Sequence, residues 1–116
     1  EELHCNSNNL QTLDLSSNPK LMQLNVSFNL LETLDLSLCP KLQSLYCSFN
    51  HLTSVCLNHC RDILYIDLCN NLLNKEKLDL LFSQLPHRTK RAMIYYLENP
   101  GSEFSDYHLL KLKNWD

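Results

Sequence analysis

The chain has 116 residues, 44% of them hydrophobic, and a formal net charge of −3. That length makes one domain able to bury a core of its own, and no apolar run approaches the ~18 residues of a membrane-spanning helix. So small a charge gives no reason to expect a nucleic-acid or polyanionic partner, and with one glycine in the whole sequence the turns must be built by Asn and Asp side chains.

The first residues, "EELHCNSNNL", have neither the basic region nor the apolar core of a signal peptide. They enter a repeat partway through, so the expectation is a fragment, or a mature form, of a longer protein. From here a shift of 21 residues aligns whole columns. Asn8, Asn29, Asn50 and Asn71 form one, Leu10, Leu31, Leu52 and Leu73 another, and Leu24, Leu45 and Ile66 a third. Pro19-Lys20 returns as Pro40-Lys41. A fixed period over this many positions marks a solenoid.

Each period holds two similar halves. "LMQLNVSFN", "LQSLYCSFN" and "ILYIDLCNN" fit L-x-x-L-x-L-x-x-N, with Cys admitted at the third apolar slot. "LQTLDLSSN", "LETLDLSLC" and "LTSVCLNHC" fit the same frame and end in Asn or Cys. The alternation L-x-L turns two side chains inward from a short strand and one outward. Coils stacked at about 4.8 Å then merge each Leu column into a continuous buried stripe. The Asn column sits where the strand ends, and its amide can satisfy backbone groups of its own coil and the next. Asn8, Asn29, Asn50 and Asn71 are therefore read as structural.

After residue 73 the period stops. Asn74 can cap a helix over 75–85, with Leu78, Leu81, Phe82 and Leu85 on one face and Pro86 as terminator. "AMIYYLE" reads as a strand over 92–98 that can pair with the last coil and cover its open edge. Ser102 or Ser105 can cap a final helix through Lys113, with Tyr107, Leu110 and Trp115 available to pack down.

The half-repeat frame is the leucine-rich repeat pattern. "LYCSFNHL" and "LETLDLSLCPKL" resemble the 21-residue leucine-rich repeats of bacterial surface proteins of the Bacteroidetes type, with internalin-J-like cysteine-ladder repeats as relatives. In the tail, Leu85-Pro86, Arg88-Thr89, Ile94-Tyr95, Asn99-Pro100-Gly101 and Lys113-x-Trp115 are similar to the C-terminal unit that closes such arrays, although Asn114 stands where that unit carries glycine. The resemblance implies an α/β solenoid, a leucine-rich repeat array of about three to three and a half coils with parallel strands and a mostly non-helical convex side. A helix-strand-helix C-terminal cap would close it. Residues 1–73 would form the array, N-terminally incomplete, and 74–116 the cap within the same domain. It also implies a secreted or cell-surface setting.

The six cysteines are read as free thiols. Cys5 and Cys47 share the inward column of Val26 and Leu68 but stand two coils apart, about 9.6 Å, beyond disulfide reach. Cys39 and Cys60 hold the closing slot of the second half-repeat on adjacent coils, where a bridge would need Cβ atoms about 3.8 Å apart. "CLNHC" offers Cys56, His59 and Cys60, but a structural zinc site needs four ligands and no second pair exists. No metal or cofactor is called for. The five histidines read as surface residues.

No Gly-rich phosphate loop, nucleophile elbow or carboxylate pair outside the "LDL" column suggests catalysis. "HRTKR" reads as a solvated loop, since no aromatics interleave it. What remains is the outward face of the stacked strands, with Asn25, Phe28, Tyr46, Phe49, Tyr65 and Asp67 as candidate binding residues for a protein or surface ligand. Phe28 and Phe49 should stack on neighbouring coils. Their rings either anchor a partner or fold into the turns and pack there. The corresponding functions are a non-catalytic recognition module and, alternatively, a structural stalk or spacer for other domains.

Overall fold

The computed structural model describes all of residues 1–116. Its strands are three residues long because each half-repeat supplies one inward side chain flanked by two outward ones. Strands β1 (Glu2–His4), β2 (Gln23–Asn25), β4 (Ser44–Tyr46) and β6 (Tyr65–Asp67) pair in parallel, Glu2 with Gln23, Gln23 with Ser44 and Ser44 with Tyr65. Each pairing advances the chain by one 21-residue period. The second half-repeats form a separate two-stranded parallel sheet, β3 (Thr33–Asp35) with β5 (Ser54–Cys56). The architecture is a β-solenoid of about three parallel-strand coils. Between its walls lies one apolar cluster of 26 buried residues, including Leu24, Leu45 and Ile66, each 0% exposed.

Polar side chains close the coils. Asn50 donates to Cys47 O at 3.2 Å in its own coil and to Val26 O at 2.9 Å, and accepts the Leu31 N–H at 3.0 Å. Asn29 and Asn71 repeat this pattern with Cys5, Val26 and Leu10, and with Cys47, Leu68 and Leu52. The inter-coil bonds run to the preceding coil, not the following one as expected from sequence. Parallel pairing explains the direction: Cys5 C=O and Leu10 N–H are left facing the coil that comes after them. Asn8 bonds only within its own coil, to Cys5 O and Asn6 O, and is exposed. In the second half-repeat Cys39 and Cys60 occupy the equivalent position, 0% and 1% exposed, with their thiols directed at the carbonyls of Leu15, Asn18, Leu36 and Cys39. Asp14 and Asp35 bind the N–H of Ser16 and Ser37 at 2.9 Å each, which holds both carboxyls below the usual range and makes them turn-formers.

Helix is confined to the C-terminal third. Helix α1 (Lys75–Gln84) is capped by Asn74, whose side chain accepts the Lys77 N–H at 2.9 Å, and it buries Leu78, Leu81 and Phe82. Strand β7 (Met93–Tyr95) then pairs in parallel with β6, Tyr65 opposite Met93. It is three residues long, shorter than the 92–98 stretch expected. The second helix, α2 (His108–Lys111), stops short of Lys113, and neither expected serine caps it. The Ser102 and Ser105 hydroxyls donate to Asn99 O and Ser102 O instead, and the Asp106 carboxylate accepts the His108 N–H. Trp115 is 1% exposed and donates from Nε1 to Pro86 O at 2.9 Å, whereas Tyr107 is exposed. The lone glycine has a steric reason. A Cβ at Gly101 would lie 2.1 Å from Lys75 N and 2.3 Å from Asn74 C, at the start of α1.

Candidate functional site

The five-stranded sheet turns two columns of side chains outward. Glu2, Gln23, Ser44, Tyr65 and Met93 form one, and His4, Asn25, Tyr46, Asp67 and Tyr95 the other. Beyond each strand a turn adds a third row, Ser7, Phe28, Phe49, Asn70 and Glu98. All six candidate binding residues lie on this face or its turn row.

The turn row has a common backbone. Ser7, Phe28, Phe49, Asn70 and Glu98 adopt φ of 58°, 58°, 55°, 55° and 58°. A left-handed residue is what lets the chain leave the strand and bring the following Asn side chain inward. Asn tolerates this region, but for a bulky side chain it is uncommon and costs about 1–2 kcal/mol. Phe therefore stands where the local backbone disfavours it, twice in succession.

The two rings do not fold into their turns. Phe28 is 54% exposed and Phe49 47%, and they stack on each other with centroids 4.5 Å apart and planes 7° from parallel. Beneath them Ser27 and Ser48 are buried, their hydroxyls 3.3 Å apart. Stacking returns about 0.5–1.5 kcal/mol, which offsets only part of the strain at two positions.

A second aromatic group lies on the sheet itself. The Tyr65 ring stands between Tyr46, centroid 4.8 Å away and inclined 35°, and Tyr95, 5.7 Å away and inclined 47°. Tyr95 was not among the candidate binding residues read from sequence, nor was Asn99 placed in the asparagine column. Both had a readable signal. "IYYLEN" (94–99) fits the L-x-L-x-x-N half-repeat, with Ile94 and Tyr96 inward, Tyr95 outward and Asn99 closing. Helix α1 interrupts the period before it, so a search at a constant shift passes over this segment.

Two of the candidate residues are partly committed to the backbone. Asn25 Oδ1 accepts the Ser27 N–H and Asp67 Oδ1 the Cys69 N–H, both at 3.1 Å. Burial pushes the Tyr65 phenol up, and the nearby Asp67 carboxylate and Tyr46 and Tyr95 phenols add to that rise. No Lys or Arg lies in strands β1, β2, β4, β6 or β7, or in the four residues after each. The charged groups there are Glu2, Asp67 and Glu98, besides His4. No group of three or more His, Cys, Asp or Glu side chains is placed to hold a metal ion, and no helix is long and apolar enough to cross a membrane. The face offers aromatic rings, side-chain amides and carboxylates on one five-stranded parallel sheet. No family model, curated protein or solved structure matches this chain.

Proposed function

We propose that this chain is a non-catalytic recognition module that binds a protein or other surface ligand through the outward face of its five-stranded sheet. On this reading the solenoid is a leucine-rich repeat array of the bacterial surface type, residues 74–116 are its cap, and its setting is secreted or cell-surface. The repeat resemblance supports the class, and the pairing of β7 with β6 supports the capping role.

The observation that carries the functional reading is the pair Phe28 and Phe49. Each is a large apolar side chain at a left-handed position, about half exposed, where Asn70 shows that a better-suited residue serves the same turn. Backbone strain of this kind persists when it serves a site. Aromatic side chains, Phe among them, are enriched at the cores of interfaces.

The test is the double variant Phe28→Asn/Phe49→Asn, which keeps the turn and removes both rings. The labelled wild-type chain, applied to arrays of peptides and glycans of known composition, should bind a subset saturably, and the variant should lose that binding. Saturable binding that survives the substitution would move the site elsewhere. No saturable binding at all would leave the spacer reading.

A further inference from the structure

Asp67 sits on β6, the fourth of the five strands, with a tyrosine on each side and one beside it. Across the register its partners are Tyr46 on β4 and Tyr95 on β7, and Tyr65 precedes it by two residues on the same face of β6. The Tyr65 ring contacts both of the others, inclined to them rather than stacked flat. Three phenol rings and one half-buried carboxylate thus converge on one patch.

That carboxylate has no counter-ion. The three ion pairs of the chain are Glu2 with His4, Lys75 with Asp79 and Arg91 with Asp116. Its side chain accepts the Cys69 N–H at Oδ1, and the thiol of the same residue also turns to the carboxylate. None of the ten Lys and Arg residues lies in the face strands or in the four residues following each. Glu2 and Glu98, at the two ends of the face, have the same sign as Asp67. A negative group among aromatic rings on a face without basic residues is complementary to a positive one. Ring faces attract cations, more so where water is partly excluded. A planar guanidinium can stack on a phenol ring while donating to a carboxylate.

We propose that Asp67, Tyr46, Tyr65 and Tyr95 form a docking site for a cationic side chain, the arginine or lysine of a basic peptide segment laid across the sheet. This rests on the reading of the face as a recognition surface and names its partner chemistry. Asp67 Oδ2 is the acceptor for the cation, and the three rings wall it. Phe49 and Phe28, one and two coils away along the face, take an apolar neighbour in the same segment. A neutral oligosaccharide would stack on the rings without needing the charge of Asp67, and an acidic partner would be repelled.

The probe is the peptide acetyl-Arg-Gly-Arg-Gly-Arg-amide, titrated into the isotope-labelled full chain and followed by amide chemical shifts. Its citrulline counterpart keeps the shape and removes the charge. The arginine peptide should shift Tyr46, Tyr65, Asp67 and Tyr95 saturably, and high salt should weaken it. The citrulline peptide, and the arginine peptide on Asp67→Asn, should bind about tenfold or more weakly, a difference of about 1.4 kcal/mol. Asp67→Asn keeps the local fold, because Asn25 already makes the same turn bond from the same column. Equal binding of the two peptides, or no saturable shift at these residues, overturns the proposal. A neutral glucose oligomer whose binding persists in Asp67→Asn but is lost in Phe28→Asn/Phe49→Asn also overturns it, and leaves the recognition face standing. Binding of the arginine peptide that needs Asp67 upholds the cation site.

Discussion

Asn99 accepts the Leu73 N–H at 3.0 Å just as Asn71 accepts that of Leu52 at 3.0 Å, although 28 residues rather than 21 separate the two asparagines. Asn99 also donates at 2.9 Å to Leu68 O in the preceding coil and to Tyr96 O in its own. The extra length is taken up by α1, and the closing geometry is conserved across the insertion. Asn29, Asn50, Asn71 and Asn99 are each at most 5% exposed.

Removing Asn50 leaves the Leu31 N–H without a partner, while Val26 O and Cys47 O keep their bonds from Asn29 and Asn71; removing Asn99 leaves both the Leu73 N–H and Tyr96 O unpaired. Asn50→Ala should cost about 1–3 kcal/mol and Asn99→Ala at least as much, since an orphaned buried group costs about 1–3 kcal/mol. Asn8→Ala should cost less than about 1 kcal/mol, because Asn8 is exposed and makes no inter-coil bond. Urea unfolding of the three variants checks the order. Comparable losses at Asn8 and Asn50 would mean that the inter-coil bonds contribute nothing.

At Phe28 and Phe49 the strain and the stacking oppose each other. Phe28→Asn/Phe49→Asn should change stability by no more than about 1 kcal/mol, because relief of the strain is opposed by the loss of the stacking and of the covered half of each ring. Thermal unfolding reads this directly, a few degrees at most for a domain of this size. A loss above about 3 kcal/mol would show that the rings are structural.

Gly101 is the point where the chain after Asn99 crosses the start of α1. Its own N–H donates to Leu73 O at 3.0 Å, so the segment cannot back away without breaking that bond. The atoms a Cβ would meet are backbone. Gly101→Ala should therefore destabilise by about 1–3 kcal/mol, measurable as a lower urea midpoint. Amide shifts should move at Asn74 and Lys75 and stay constant in β2 and β4.

The thiols divide by burial. Cys39, Cys47 and Cys60 are buried, while Cys5, Cys56 and Cys69 are partly exposed. Alkylation of the native chain should modify the second set and reach the first only on unfolding, which mass spectrometry resolves site by site. Burial raises the Cys47 and Cys60 thiols, Cys60 to about 12 from an ordinary 9.0, with neighbouring Cys39, Cys56 and Asp35 adding to the Cys60 rise. A raised folded-state value gives stability that is complete below pH 9.0 and lost as pH climbs from there towards 12. The unfolding midpoint should accordingly fall above pH 9.0, and by less in Cys60→Ala than in the wild type.

Much of this was legible in the residues. A 21-residue recurrence of inward Leu and closing Asn dictates parallel coils, because only stacking at that period buries each column. The outward position of Tyr46, Tyr65 and Asp67 followed from strand alternation. Pattern also placed the start of α1 at Asn74, whose side chain caps it. It did not show the direction of the Asn bonds, because a side-chain amide can reach either neighbour and only the parallel register says which groups are unpaired. Nor did it show that Asp106 rather than a serine accepts the His108 N–H, with the Asp106 N–H itself bonded to Asp79, far away in the chain. Nor does period alone reveal that Phe28 and Phe49 occupy left-handed backbone, since φ is not written in composition. The sequence by itself determined the coil, its period and which side chains face out. Only the tertiary structure decided what those outward groups meet, bringing Tyr95 beside Tyr65 and Asp67 across an interruption that no constant period spans, because pairing of β7 with β6 is set by backbone hydrogen bonding and not by distance along the chain.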